Sequence, residues 1–244
     1  MTNLPTDSQA NNVPNLSRLQ RRIGYEFQRS DLLNQALTHK SFSKQNNERL
    51  EFIGDAVLGY LVGHLLYLTN PDYAEDSLSL MRASLVRGTA LAEIAREIDL
   101  APNIRLGSGE RKTGGRQRSS ILADAFEALI GAIHEDGGIE ACRVVVALLF
   151  SSRVEDLDPE NLKDAKTKLQ ELLQGRQLQL PEYSVEEVNG ADHQRLYTVA
   201  CEVESMTLKV NATASSRRSA EQAAAALMLE HLSDDQSTGS ANDD

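Results

Sequence analysis

Apolar residues recur at helical spacing through three early segments, and strand-like alternation is scarce across the first 150 residues. The spacing predicts helices over Leu50–Leu68, Leu78–Ile98 and Ile121–Ile133. Asn70-Pro71 and Ala101-Pro102 are expected helix ends, because a residue preceding proline disfavours the α region. The pattern then changes. A helical stretch at Thr167–Leu173 precedes three strand candidates near 182–188, 195–203 and 207–211. In the second, Tyr197, Val199, Cys201 and Val203 alternate with Thr198, Ala200 and Glu202, as in a half-buried strand. Asn189-Gly190 marks a turn. A last helix carries the stripe Ala220, Ala223, Ala224, Leu227 and Met228. A polar, acidic stretch at 151–163 reads as a linker. The fold class is therefore multi-domain: an all-α domain at 15–150, then a small α+β domain at 164–233 with the order α-β-β-β-α. Residues 1–14 and 234–244, polar and aperiodic, are expected to be disordered.

Charge complicates this picture. The 244 residues hold 25 basic and 36 acidic groups, a net of −11, which taken alone argues against a nucleic-acid partner. The distribution is uneven, however. Residues 234–244 contribute four acids and no base, and residues 105–120 hold five cations against the lone Glu110. Glycines in that basic stretch let backbone approach a phosphate closely, so Arg111, Lys112, Arg116 and Arg118 are candidate phosphate contacts. No apolar run approaches the roughly 20 residues that span a bilayer, and the polar N-terminus lacks an apolar signal core. Two cysteines, Cys142 and Cys201, make no disulfide framework and suit a reducing cytoplasm, the expected location.

The most informative segments are two acidic helix faces. In NERLEFIGDAVLGYL (47–61), Glu48, Glu51 and Asp55 fall within about 60° of one another at 100° per residue, with Leu50, Ile53, Val57 and Leu61 opposite. In SILADAFEALIGAI (120–133), Asp124 and Glu127 lie one turn apart, opposed by Leu122, Phe126, Leu129 and Ile133. Two amphipathic surface helices with solvated acids would read the same way. Against that, the acids lack basic partners at i+4, and small residues crowd both helices, as close helix packing requires. If the helices cross, Glu51, Asp55, Asp124 and Glu127 converge, and four convergent carboxylates cannot all stay ionised without cations. Oxygen ligands of this kind suit Mg²⁺ or Mn²⁺ rather than zinc.

NERLEFIGDAVLGY resembles the signature of ribonuclease III, and LADAFEALIGAIHEDGG resembles that family's second acidic motif. The resemblance covers about residues 20–232. It implies that Glu51, Asp55, Asp124 and Glu127 form a metal-binding catalytic set using Mg²⁺, for which Mn²⁺ can substitute, with Glu48 and Glu75 as supporting acids. Ala56 stands where many members carry Ser, and Asp76-Ser77 replace the Gly and acid common beside Glu75. The family reading also implies a homodimer through the nuclease domain, each protomer cutting one strand of double-stranded RNA to leave 5′-phosphate and 3′-hydroxyl ends. Ribosomal-RNA processing and messenger-RNA turnover follow as roles, with no membrane partner and no small-molecule cofactor.

The smaller domain resembles the double-stranded-RNA-binding domain. Arg217 and Arg218 sit in the first turn of its last helix, where the macrodipole disfavours cations unless an anion binds there. Thr167, Gln170, Glu171 and His193 match family positions that touch the minor groove. Ala212 and Ala214 stand where the family often has glycines, and Ser219 replaces a basic residue seen in some members. Two rivals stay open. A binding regulator with a dead nuclease fold would have lost at least one carboxylate, and all four stand. A helical phosphohydrolase acting on small nucleotides would have no use for the second domain and usually needs His ligands, which neither acidic motif supplies.

Overall fold

A computed structural model describes residues 16–191 and 194–239. The segment 1–14, His193 and the end of the tail fall outside these residues. The chain divides into two compact units at Pro159/Glu160.

The first unit is helical: α1 (Leu16–Ile23), α2 (Ser30–Ala36), α3 (Glu48–Thr69), α4 (Glu75–Val86), α5 (Gly88–Glu97), the short α6 (Ser108–Lys112) and α7 (Ser119–Glu155). The predicted helix at 78–98 is two helices, because Arg87 adopts extended backbone (ψ 145°) between α4 and α5. Ala101-Pro102 opens a 3-10 turn rather than ending a helix, since α5 already stops at Glu97. Asn70 does terminate α3. α7 is broken at Gly138, whose φ of +76° and ψ of −175° leave the helical region, a conformation glycine takes without steric cost. Its second half continues through Glu155, so the first part of the expected linker at 151–163 is helix. A four-residue helix, α8 (Pro159–Leu162), follows.

α3 and α7 form the centre of this unit. Their inward faces contribute Leu58, Leu61, Val62 and Leu66 on one side and Leu122, Phe126, Leu129 and Ile133 on the other, all buried. The two backbones come very close where they cross. A methyl group on Gly54 would sit 1.8 Å from the Glu127 carbonyl oxygen, and one on Gly131 would sit 2.1 Å from that of Leu50. By length and composition α3 is apolar enough to cross a bilayer, which corrects the expectation that no such segment exists. Its buried residues pack within the helical unit.

Just before the break, Asp136, whose side chain is 1% exposed, ties α7 to the segment between α1 and α2. It accepts hydrogen bonds from the Tyr25 hydroxyl (2.8 Å) and from the backbone N–H groups of Gln28 (2.8 Å) and Arg29 (2.9 Å). Burial alone would raise its pKa, but these donors hold it below the usual range.

The second unit has α9 (Ala165–Gly175), strands β1 (Glu182–Asn189), β2 (Leu196–Val203) and β3 (Leu208–Ala214), and α10 (Arg217–Gly239). The strands form an antiparallel sheet in the order β1-β2-β3, with a register shift between Val185 and Glu187. Leu169 and Leu173 of α9, Cys201 and Val203 of β2, and Ala224, Ala225, Met228 and Leu232 of α10 make its core. The stripe on α10 is rotated from the predicted one: Ala225 is buried and Leu227 is 37% exposed, because α10 packs on both the sheet and α9. α10 also runs beyond residue 233, into the stretch read as a disordered tail.

Gly54→Ala is expected to destabilise the protein by about 3 kcal/mol or more, since backbone on the opposite helix must move. Gly59→Ala, which meets nothing within 4 Å, is expected to be neutral or to stabilise by up to about 1 kcal/mol. Urea unfolding of the two variants checks the pair; equal midpoints would remove the close crossing as a constraint.

Candidate metal centre

The crossing fixed by Gly54 and Gly131 brings the two acidic faces together. Ligand oxygens of Glu51, Asp124 and Glu127 lie within 4.8 Å of one another, and all three residues are half-buried. Asp55, a turn beyond Glu51 on α3, is exposed and stands outside this tight group, but its charge acts on both Glu51 and Glu127. Burial, followed by the charges of Asp55, Glu51 and Asp124, pushes Glu127 up to about 7. Burial also raises Glu51, with Asp124 and Glu48 adding to it. Asp124 is raised by burial as well, with His39 and Lys40 opposing the shift. Such a set is costly to ionise and contains oxygen donors alone. It fits a hard divalent cation, which would repay the crowding of charge.

The remaining predicted acids are placed differently. Glu48 begins α3 with both carboxylate oxygens engaged, one by Lys40 Nζ (3.1 Å) and the other by Asn46 Nδ2 (3.2 Å). These donors hold its pKa below the usual carboxylate range. Glu75 opens α4, is exposed, and accepts from the Ser79 hydroxyl (2.7 Å). It is absent from the charges acting on the three clustered carboxylates.

The basic stretch is folded on itself rather than being an open loop. Glu110 pairs with Arg118, and Gly115 is packed so tightly that a methyl group there would meet the Glu110 carbonyl oxygen at 2.7 Å. Arg116 is half-buried, with an Nε that lacks a partner among the described residues. Arg111 and Lys112 are exposed on α6. A second cationic feature carries no periodic signal: the turn with His39 and Lys40, whose charges reach Asp124 from outside both acidic motifs.

On the second unit, Thr167, Gln170 and Glu171 are exposed along α9. Asp164 caps this helix by accepting from the Thr167 N–H (2.9 Å). Glu171 is held by Lys163 (2.7 Å). Arg217 and Arg218 are exposed in the first turn of α10, where the Ser216 hydroxyl accepts the Ser219 N–H (3.1 Å). Arg217 also donates to Glu221 (2.9 Å), which Lys166 of α9 reaches from the other side (2.7 Å).

A helical unit with convergent carboxylates, followed by an α-β-β-β-α unit with cations at a helix start, defines a nuclease joined to an RNA-binding module. Residues 29–153 match the family model described as ribonuclease-III-like, and residues 165–232 match the double-stranded RNA binding motif. Ribonuclease 3 of Nitrosococcus oceani is 49% identical over 217 residues, spanning 88% of this chain and 93% of that protein. Two structures of the nuclease domain of ribonuclease III from Campylobacter jejuni also align. One shows 42% identity and a TM-score of 0.57, covering 60% of this chain and all of that one. The other, in a study of flexibility in a region involved in dimer formation, shows 45% identity and a TM-score of 0.54, covering 56% and 97%. The chain belongs to the ribonuclease III family and is an endoribonuclease acting on double-stranded RNA.

The shifted carboxylates set a pH dependence for the metal-free protein. Glu127 keeps its proton to about 7 in the fold, against an ordinary value of 4.5. The folded state thus binds the extra proton between these values, and stability falls as pH rises through that window, levelling off above it. Glu51 and Asp124, also raised, add slope of the same sign. Urea midpoints measured in a chelator from pH 4.5 to 8 should fall, and Glu127→Gln should flatten the upper part of the decline. A midpoint that rises through this window in the wild type would contradict the crowding.

Proposed function

We propose that Glu51, Asp55, Asp124 and Glu127 are the catalytic set and that they hold Mg²⁺, or Mn²⁺ in its place. The carrying observation is the approach of Glu51, Asp124 and Glu127 to within 4.8 Å across the α3–α7 crossing. A bound divalent ion would supply an activated water and offset charge on the leaving oxygen. Water is the nucleophile in this reading, and with the 3′ oxygen as the leaving group, as the family resemblance implies, the ends left are 5′-phosphate and 3′-hydroxyl. The carboxylates hold and orient the ion, and Glu127, the most crowded, must release a proton to do so at neutral pH.

The nuclease unit works as a homodimer, each copy cutting one strand. In support, α3 leaves Phe52 79% exposed beside Glu51, with Tyr60, Tyr67 and Leu68 also exposed further along it. An apolar surface of this kind is expected to be covered. The second unit holds the duplex by its shape, through α9 and the Arg217/Arg218 turn, and raises the local concentration of substrate. In the basic stretch, Arg111 and Lys112 are exposed and stand outside the Glu110–Arg118 pair, and they are its phosphate contacts. Ribosomal-RNA processing and messenger-RNA turnover in the cytoplasm complete the reading. Two free, buried cysteines fit that compartment, Cys142 being pushed up to about 12 by burial.

Incubation with long duplex RNA tests the site. Mg²⁺ should be required, and chelation should abolish cleavage. Glu127→Gln should lose at least about 10²-fold in rate while still binding duplex, the loss expected when several kcal/mol of metal-mediated stabilisation is removed. Cleavage that survives chelator would sink the metal reading. For the binding unit, Arg217→Ala/Arg218→Ala should weaken duplex affinity and make its salt dependence shallower by up to about two phosphate contacts. An unchanged slope would place the RNA elsewhere.

A further inference from the structure

We propose that Lys40 is a substrate contact of the nuclease site, an ammonium that leaves Glu48 to take a phosphate of the RNA strand being cut. The proposal rests on the nuclease reading above and adds a residue outside both acidic motifs.

The backbone around Lys40 is fixed from several directions. Thr38 is 3% exposed, and its hydroxyl donates to the Asn34 carbonyl (2.6 Å). The His39 N–H donates to the Arg105 carbonyl (3.1 Å), and the Arg105 N–H donates to the Leu37 carbonyl (2.8 Å), forming a parallel bridge. The Asn47 N–H donates to the Thr38 carbonyl (2.9 Å), tying the turn to the start of α3. On the far side, the Gly107 N–H donates to the Ser41 hydroxyl (3.0 Å), and Gly107 lies so close that a methyl group would meet the Ser41 carbonyl oxygen at 2.3 Å. The segment is anchored as firmly as a strand, yet the Lys40 side chain is 64% exposed.

The ammonium sits at the edge of the carboxylate group. Its single hydrogen bond among the described residues is to Glu48, although an ammonium has three donors. Glu48 first, and then Glu51 and Asp124, hold it above the usual lysine range. The other basic side chains of this turn are otherwise engaged: Arg105 lies over the Phe42 ring (4.4 Å), and His39 Nδ1 is hydrogen-bonded with the Ser41 hydroxyl (2.8 Å). A phosphate entering this site meets five carboxylates, and one divalent ion does not cancel them. It needs a fixed cation on the approach side. An ion pair between half-exposed side chains is weak and exchanges readily, so Glu48 is the resting partner that keeps Lys40 in place until a phosphate arrives.

The test uses the full-length chain with Glu127→Gln, so that duplex RNA is bound with Mg²⁺ but not consumed. Adding Lys40→Ala should weaken binding and make the slope of log affinity against log salt shallower by about 0.9, the value for one lost phosphate contact. Lys40→Arg should restore both, since it keeps the charge. Thermal melting of the RNA-free variants confirms that each is folded. Mn²⁺ binding without RNA, followed by electron paramagnetic resonance, separates the alternative. If Lys40 only balances Glu48, its loss tightens Mn²⁺ while the salt slope stays unchanged, and that result overturns the proposal. Cleavage of the same duplex by the wild-type chain tests the nuclease reading separately. A protein that cleaves normally but shows no change of slope on losing Lys40 loses this inference alone.

Discussion

The molecule depends on two helical backbones passing within contact of each other. At Gly54 and Gly131 no side chain separates α3 from α7, and the carbonyl groups of Glu127 and Leu50 occupy the room a methyl would need. This approach does more than fill the core. It sets the distance between two rows of carboxylates that would otherwise stand apart on their own helices, each satisfied by water. With the helices this close, Glu51, Asp124 and Glu127 share one small, partly desolvated volume. The apolar side chains buried around the crossing, among them Leu58, Leu122, Phe126 and Leu129, contribute the free energy that offsets this repulsion. Packing and charge repulsion therefore oppose each other at one point of the fold, and a bound divalent cation would relieve the conflict.

The two units divide the problem of a polyanionic substrate. The helical unit concentrates negative charge and needs cations to admit RNA. The smaller unit holds its own basic residues in ordered pairs, with Glu221 bridging Lys166 and Arg217 and with Lys163 steadying Glu171. Such pairs add little to stability at exposed positions. Their effect is to limit the conformations of long side chains on the faces proposed to meet RNA. The net charge of −11 thus coexists with an RNA partner because the charges are placed locally.

Much of this was legible in the residue pattern. The amphipathic faces of 47–61 and 120–133 carry enough information to place the carboxylates, and the change from helical to alternating periodicity locates the second unit. Local pattern could not show which acids would be closest. Asp55 has the same helical phase as Glu51, yet it stands outside the tight group, because a crossing has one point of nearest approach. Glu48 is likewise in phase but is engaged by Lys40 and Asn46, a consequence of the turn before α3. Lys40 itself lies in a segment defined by long-range backbone bridges to residues 105–107, which leave no periodic trace. The break at Arg87 and the rotated stripe of α10 also follow from tertiary packing, which overrides local preference.

The break at Gly138 has a mechanical side. It ends the straight part of α7 soon after the acidic residues, so Asp124 and Glu127 ride on a short rod rather than on a long helix. One end of that rod is tied where Arg96 donates to the Ser119 hydroxyl (3.0 Å), and the other where Asp136 gathers Tyr25, Gln28 and Arg29. A short beam clamped at both ends bends least near its supports and transmits little of what happens beyond them. The Gly138 break and these two ties set the stretch carrying Asp124 and Glu127 apart from the second half of α7, the part that leads on toward the second unit.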